Sequence, residues 1–300
     1  MDYQVVVSIG LPGLLVAWLD TILVCFAGIC ICHKLLSMSM RDSVIVAGAV
    51  SVGGSSVAAS LASCMSNNTG DENGSGGNGY VTVASNIGSS SRVNKDFTVK
   101  IIIAVMGIFN TPLIPIMPLM TKWLNINPYV AGAWIGGSLD STGQVIASAR
   151  MGSDALLKTA LIIKVAQNVL LGPLCMVTAA FYHRSFQPLT FLNGFPPFIF
   201  GFLITSGITT LLLHSGDYWG SENVKEYLLD NVWSMCDWFF LLGFVIIGLE
   251  IDFKARRSRE DKMIVLAFLC IQALDLCTTF GWSYFAFNGR DCSDDDDNMA

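Results

Sequence analysis

The chain has 300 residues, of which 53% are hydrophobic and 13% are charged, and its mean hydropathy is +0.57. A soluble globular domain carries about 25% charged residues, so this composition excludes an ordinary soluble domain. The formal net charge of −6 and the lack of a basic face argue against a nucleic-acid partner. We expect an all-α, multi-pass integral membrane protein of the plasma membrane or an endomembrane, with the lipid bilayer as its principal partner.

Eight apolar segments are predicted to cross the membrane, since a spanning helix needs roughly 20 apolar residues. Two segments, at about 5–32 and 43–64, occupy residues 1–64. Residues 65–97 are dominated by Ser, Gly and Asn, and they are predicted to be a disordered loop. The other six segments fall within 98–287 and precede an acidic tail at 288–300. Their approximate bounds are 99–120, 128–150, 154–182, 190–213, 229–249 and 263–286.

The most basic loop, residues 254–262, sets the predicted orientation. The positive-inside rule puts this loop in the cytoplasm, and counting back through eight crossings puts the 65–97 loop outside. That loop carries N-glycosylation acceptor patterns at Asn67 and Asn73, which suit a glycoprotein with an external loop. The count assumes that 128–150 crosses the membrane fully instead of re-entering it.

Two segments share an unusual pattern of small residues. Val46-Ala-Gly-Ala precedes Gly53-Gly-Ser, and Val130-Ala-Gly-Ala precedes Gly136-Gly-Ser. Glycine and serine at this density weaken a helix, and unwound backbone within a membrane occurs where protein or a water-filled cavity covers it. The pattern therefore predicts two broken helices of the kind that transporters use to bind ions. Close helix packing through small residues is the alternative.

Ionisable residues inside membrane spans are costly and indicate function. Asp140 is the first candidate, because it follows the second Gly-Gly-Ser sequence and lies beside hydroxyl and amide side chains. Lys164 is the second, because Gln167 and Asn168 follow it at three and four residues, on nearly the same helix face. A buried ammonium there would pair with an anion or with Asp140, and a purely structural ion pair is the alternative.

The other polar residues within spans are predicted to be structural. Asp20, Asp237 and Asp275 lack polar neighbours in sequence, so structural pairing or a shallow position is expected. His33, His183 and His214 lie at span ends and are interpreted as interfacial. Eight of the nine cysteines lie in or beside apolar runs and are expected to pack as small hydrophobic groups. No metal site, cofactor or enzyme motif is predicted.

Residues 131–150, with the sequence AGAWIGGSLDSTGQVIASAR, resemble the signature of the YeiH-type family of proposed sulfate exporters, which are bacterial inner-membrane proteins. The lysine-containing span that ends in proline at 160–173 is similar too. The stretches at 10–15, 52–59, 195–198 and 242–249 also resemble spans of the family, and of these the match near residue 53 is weak by itself. This resemblance implies a bundle with discontinuous helices, related to the cation/proton antiporter and bile-acid transporter folds. It also implies secondary transport of a small anion, such as sulfate or a sulfonate.

Two departures from the family qualify the resemblance. Family members usually carry a His-Glu pair where this chain has Asp140-Ser141, which weakens any transfer of a proton-coupling role from that histidine. They also have roughly three more spans before the region that matches residue 10. We therefore expect an N-terminally shortened homologue, a fragment or a half that needs a partner, and the 65–97 insert indicates a eukaryotic source.

Three functions remain open from the sequence. The leading one is secondary transport of a small anion, with a proton or sodium as coupling ion and a homo-oligomer as one assembly. The second is monovalent cation/proton antiport at Asp140, and the third is a non-transporting assembly partner. The predicted substrate-binding residues are Gly53, Gly54, Ser55, Ser56, Gly136, Gly137, Ser138, Asp140, Ser141, Thr142, Gln144, Lys164 and Asn168.

Overall fold

The structure is a computed structural model that describes residues 3–65, 93–183 and 259–289, together with positions 204, 235, 238 and 242. Several sequence predictions lie outside the described residues. They are the spans at 190–213 and 229–249, Asp237, His214, both acceptor asparagines, most of the basic loop and most of the acidic tail.

The described residues form helices without a strand, which confirms the all-α prediction. The helices are α1 (Tyr3–Cys30), α2 (Met40–Gly48), α3 (Ser55–Cys64), α4 (Val93–Trp123), α5 (Pro128–Ser138), α6 (Thr142–Ala149), α7 (Asp154–Val169), α8 (Leu171–His183) and α9 (Arg259–Phe287). Short π-helical turns at Ile31–Leu35 and Ala49–Gly53 extend α1 and α2.

Four continuous apolar stretches are long enough to cross a membrane by length and composition. They are Gly10–Leu35, Ile101–Trp123, Asp154–Tyr182 and Lys262–Phe287. Each agrees with a predicted span. The protein is therefore an integral, multi-pass membrane protein, and its solvent along these helices is lipid.

The predicted loop at 65–97 ends earlier than expected. Helix α4 begins at Val93, so residues 93–97 are helical instead of irregular. These residues directly follow the Ser-, Gly- and Asn-rich stretch, and they form the first turns of a helix whose apolar run comes next. Residues 66–92 lie outside the described part of the chain.

Polar side chains fix where several helices begin. The side chain of Asn127 accepts a hydrogen bond from the backbone N–H of Tyr129 at 2.9 Å, and Pro128 occupies the first helical position of α5. Ser153 caps α7 by accepting from the N–H of Leu156 at 3.3 Å. These caps satisfy N–H groups that a helix start would otherwise leave unpaired.

Polarity is inverted relative to a soluble protein. Large apolar side chains such as Leu11, Phe26 and Phe285 are 70%, 72% and 85% exposed, as expected for groups that face lipid. The interior instead holds charged and amide groups, among them Lys164 and Asp275, which are 1% and 0% exposed. Such an interior indicates a polar site within the bundle.

Helix α5 lies between α7 and α9, and this position brings the polar groups together. The indole Nε1 of Trp134 on α5 donates to the carbonyl oxygen of Leu276 on α9 at 3.0 Å. Helix α1 packs on α7 in turn, where Trp18 donates to the carbonyl oxygen of Ala166 at 3.2 Å. The end of α5 therefore points into a space bounded by α1, α7 and α9.

Candidate functional site

The first predicted broken helix is interrupted at Gly53 and Gly54. The π-helical turn ends at Gly53, and α3 begins at Ser55. The two glycines have positive φ angles of 98° and 105°. Such angles disfavour any residue with a Cβ atom, so the glycine pair is what permits the chain to break here.

The second predicted broken helix is interrupted at Leu139 and Asp140, between α5 and α6. Leu139 is extended, with ψ of 134°. Ser141 then starts α6 through a capping box, in which its side chain accepts from the N–H of Gln144 at 3.2 Å and the Gln144 side chain accepts from the N–H of Ser141 at 3.4 Å. Side-chain caps, and not glycine angles, define this break.

The glycines of the second segment have a different role from the one their pattern suggested. Gly136 and Gly137 lie inside α5, before the break. A Cβ atom on Gly136 would overlap the backbone of Ala160 on α7, and one on Gly137 would overlap the side chain of Thr279 on α9. Close packing, the alternative reading, therefore explains this glycine pair.

The two breaks touch each other. A Cβ atom on Gly53 would overlap the carbonyl group of Asp140 and the ammonium of Lys164. The bare Cα of Gly53 thus lets one unwound backbone lie directly against the other, with the lysine of α7 beside them. We call the meeting point of residues 52–54 and 138–141 the crossing.

Side-chain donors occupy the carbonyl groups that the breaks leave free. Lys164 Nζ donates to the carbonyl oxygen of Val52 at 3.3 Å and to Gln167 Oε1 at 3.1 Å. Gln167 Nε2 donates to the carbonyl oxygen of Gly137 at 3.0 Å. Lys164 and Gln167 therefore join the carboxyl ends of both first half-helices, where backbone carbonyls carry partial negative charge.

Asp140 lies at the crossing and is 4% exposed. Asn110 on α4 donates through Nδ2 to Asp140 Oδ2. The other carboxyl oxygen, Oδ1, has no hydrogen-bond donor among the residues that the structure describes. Oδ2 is therefore held by Asn110, and Oδ1 can still accept a hydrogen bond or bind a cation.

The neighbouring face of α9 adds further polar groups. Gln272 Nε2 donates to the carbonyl oxygen of Ser138 at 3.0 Å, and Thr279 Oγ1 donates to Asp20 Oδ2 on α1 at 2.5 Å. Asp275 lies between these two residues in sequence and is fully buried. Asp20 is also buried, at 1% exposure; structural pairing and a shallow position in the membrane both stay predictions for these two residues.

Most of the buried atoms left without a partner are oxygens. Within the described ranges, those near the crossing that lack a hydrogen-bond partner are Asp20 Oδ1, Asn110 Oδ1, Ser138 Oγ, Asp140 Oδ1, Gln272 Oε1 and both carboxyl oxygens of Asp275. Unpaired buried acceptors are unfavourable. A proton or a cation would satisfy several of them.

The structure brings most of the predicted site residues to one place. Gly53, Ser138, Asp140 and Lys164 meet at the crossing, and Asn168 Nδ2 donates to Thr142 Oγ1 at 3.4 Å. Gln144 and Ser141 form the cap of α6. Gly136 packs against α7, away from the polar groups. For three other predicted residues the structure gives less detail. Gly54 is buried, and Ser55 and Ser56 begin α3.

The site also contains residues that the sequence prediction left out. Asn110 and Gln272 were not considered, and Asp20 and Asp275 were considered but not assigned to the site. A usable signal existed on α9, where residues 272, 275 and 279 recur at intervals of three and four and therefore share one helix face. Asn110 is an isolated polar residue in an apolar span and gave a weaker signal.

Comparison with known proteins agrees with this membrane architecture. The family described as conserved hypothetical protein 698 matches residues 76–267, which is more than half of the chain. A UPF0324 membrane protein of Nitratidesulfovibrio vulgaris is 27% identical over 299 aligned residues, covering 95% of this chain and 47% of the relative. No solved structure matches the chain.

Two further bacterial relatives bear the same name. A UPF0324 membrane protein of Rhodopirellula baltica is 28% identical, covering 93% of this chain and 48% of the relative. One of Corynebacterium glutamicum is 33% identical over a shorter region, 34% of this chain. The chain spans about half the length of the first two relatives. It belongs to the conserved hypothetical protein 698 family, whose matched bacterial relatives are UPF0324 membrane proteins.

Proposed function

We propose that the protein is a secondary transporter that binds its substrate at the crossing and exchanges a monovalent cation for a proton at Asp140. The observation that carries the proposal is the position of Asp140. It is buried where two broken helices meet, with one carboxyl oxygen held by Asn110 and the other without a donor among the described residues.

The balance of donors and acceptors supports a cation as cargo. The ammonium of Lys164 and the amide groups of Gln167 and Gln272 are directed at protein oxygens. The atoms that remain unpaired near them are chiefly acceptors. An anion would need free donors, whereas a proton or a small cation needs oxygens.

The ligand types favour a monovalent ion. The described residues contain no group of three His, Cys, Asp or Glu residues placed to hold a metal ion. Asp140 instead lies among amide and backbone oxygens, which suit a weakly bound cation that must leave again. The cation binds the carboxylate from one side of the membrane and the proton leaves to that side; on the other side the cation leaves and a proton binds.

A small anion, the cargo implied by the family resemblance, is the second candidate. Helices α3 and α6 both begin at the breaks, and helix N-termini favour anions. Lys164 adds a positive charge beside them. In this alternative the Lys164 ammonium would give up its hydrogen bond to the carbonyl oxygen of Val52 or to Gln167 Oε1 and donate to the anion instead.

Transport in proteoliposomes distinguishes the two cargos. For the proposed exchange, Asp140→Asn should reduce pH-driven uptake of sodium or potassium by more than tenfold, because the amide cannot release a proton. Asp154→Asn is the matched control, since Asp154 is an exposed aspartate at the start of α7, and it should transport normally.

The opposite pattern would support anion transport. Sulfate flux that survives Asp140→Asn and disappears in Lys164→Met would favour the second candidate and overturn the first. Absence of pH-driven cation flux and of sulfate flux in the folded wild-type protein would overturn both.

A further inference from the structure

One face of α9 carries polar groups that the proposed exchange at Asp140 does not use. Gln272, Asp275 and Thr279 share this face, since they are three and four residues apart. Gln272 bonds to the end of α5 at Ser138. Thr279 packs against Gly137 and donates to Asp20 of α1 at 2.5 Å. Asp275 is therefore enclosed between α1 and the end of α5.

Asp275 has no hydrogen-bond donor within the described ranges on either carboxyl oxygen, and it is 0% exposed. Asp20 is 1% exposed and lacks a donor on Oδ1. Two further buried groups beside this pair are unsatisfied as well, namely Gln272 Oε1 and Ser138 Oγ. Buried carboxyl oxygens without a donor are unfavourable, and a bound proton or a cation would satisfy them.

The charges near Asp275 are unbalanced. In the described part of the chain, the charged groups close enough to interact with it are Asp20 from α1, Asp140 from the second break and Lys164 from α7. The single ammonium among these groups interacts with Asp140 and Asp275, so it does not balance all three carboxyl groups. The ammonium lies at the crossing and donates to Val52 and Gln167. Among the described residues it therefore donates to neither carboxyl group of this pair, in which Asp20 Oδ2 accepts from Thr279.

We propose that Asp20 and Asp275 form a second proton-binding site, separate from Asp140, which holds one proton between the two carboxyl groups. The proton turns one unpaired oxygen into an O–H donor, and either the other carboxylate or Gln272 Oε1 accepts from it. It also removes one of the excess negative charges. Asn110 holds Asp140 from α4, so Asp140 is not a member of the proton-sharing pair, although its charge acts on Asp275.

Infrared spectroscopy of the purified chain in detergent tests this site without a transport assay. The comparison is between wild type and the double variant Asp20→Asn/Asp275→Asn. The difference spectrum should show loss of one carboxylic-acid C=O band, which shifts in deuterium oxide, together with loss of one carboxylate band. Asp140→Asn should keep the acid band of the pair, and Asp154→Asn should lose carboxylate signal alone.

The proposal is overturned if the double variant loses two carboxylate bands and no acid band, because both groups would then be ionised. Asparagine can still accept the bond from Thr279, so the double variant should elute as wild type does in size-exclusion chromatography. If it aggregates, Asp275→Asn alone gives the test, since removing either member of a proton-sharing pair abolishes or shifts the acid band. An unchanged acid band in this single variant would overturn the proposal. Because the readout is independent of flux, it fails or succeeds separately from the proposed exchange.

Discussion

Two helix breaks meet at the crossing, one between α2 and α3 and the other between α5 and α6. They have different structural causes. At the first break, Gly53 and Gly54 adopt φ angles of 98° and 105°, so the backbone itself supplies the interruption. At the second, Leu139 is merely extended and Ser141 begins the next helix through a capping box. Side chains supply this interruption.

This difference shows that one sequence pattern can serve two physical purposes. Gly-Gly-Ser follows a Val-Ala-Gly-Ala sequence in both segments. At 53–55 the glycines break the helix, whereas at 136–138 they let α5 approach α7 and α9 closely. The first break should therefore be sensitive to any Cβ atom, and the second to the loss of a cap.

Gly53→Ala should give the largest effect. The backbone conformation alone costs roughly 1–3 kcal/mol for a residue with a side chain, and the added Cβ would overlap the rigid carbonyl group of Asp140. We expect a large fall in the thermal unfolding midpoint in detergent, or failure to fold.

Gly281→Ala is the matched control, because a Cβ atom there meets nothing within 4 Å. Replacing a glycine within a helix by alanine is stabilising by about 0.5–1 kcal/mol, so this variant should unfold at the same temperature as wild type or higher. Equal midpoints for the two variants would contradict the contact between the breaks.

Gly136→Ala should have an intermediate effect. Its Cβ atom would overlap the backbone of Ala160, and α5 would have to move away from α7 at a cost of about 1–3 kcal/mol. The same unfolding assay measures this loss, with Gly10→Ala in α1 as control because its Cβ atom meets nothing within 4 Å. A midpoint at or above that of wild type would show that the helices are not closely packed here.

Ser141→Ala should have the smallest effect. It removes the N-terminal cap of α6, a loss typically worth about 0.5–2 kcal/mol. Ser141→Thr should retain most of the stability, since a hydroxyl oxygen can still accept from the N–H of Gln144. If threonine were as destabilising as alanine, the capping box would not be what starts α6.

The sequence predicted the four full-length spans that the structure describes and both broken helices, because their signals are local. Apolar length and small-residue density need no knowledge of neighbours. The role of Gly136 was not readable locally, since it depends on a close contact with Ala160 of another helix. Asp275 was left out although Gln272 and Thr279 share its helix face, because the nearby carboxyl group of Asp20 comes from α1 and is distant in sequence.

The two ends of the Gln167 amide have opposite hydrogen-bonding character, and this gives the contact an orientation. Its oxygen receives the ammonium of Lys164, and its nitrogen donates to the carbonyl oxygen of Gly137. Rotating the amide by half a turn would place N–H against ammonium and oxygen against oxygen. If Lys164 moves away, Gln167 Oε1 loses its donor. The amide is then held less firmly in the orientation that directs Nε2 at the carbonyl oxygen of Gly137. The position of Lys164 and the position of the end of α5 are therefore coupled through the Gln167 side chain.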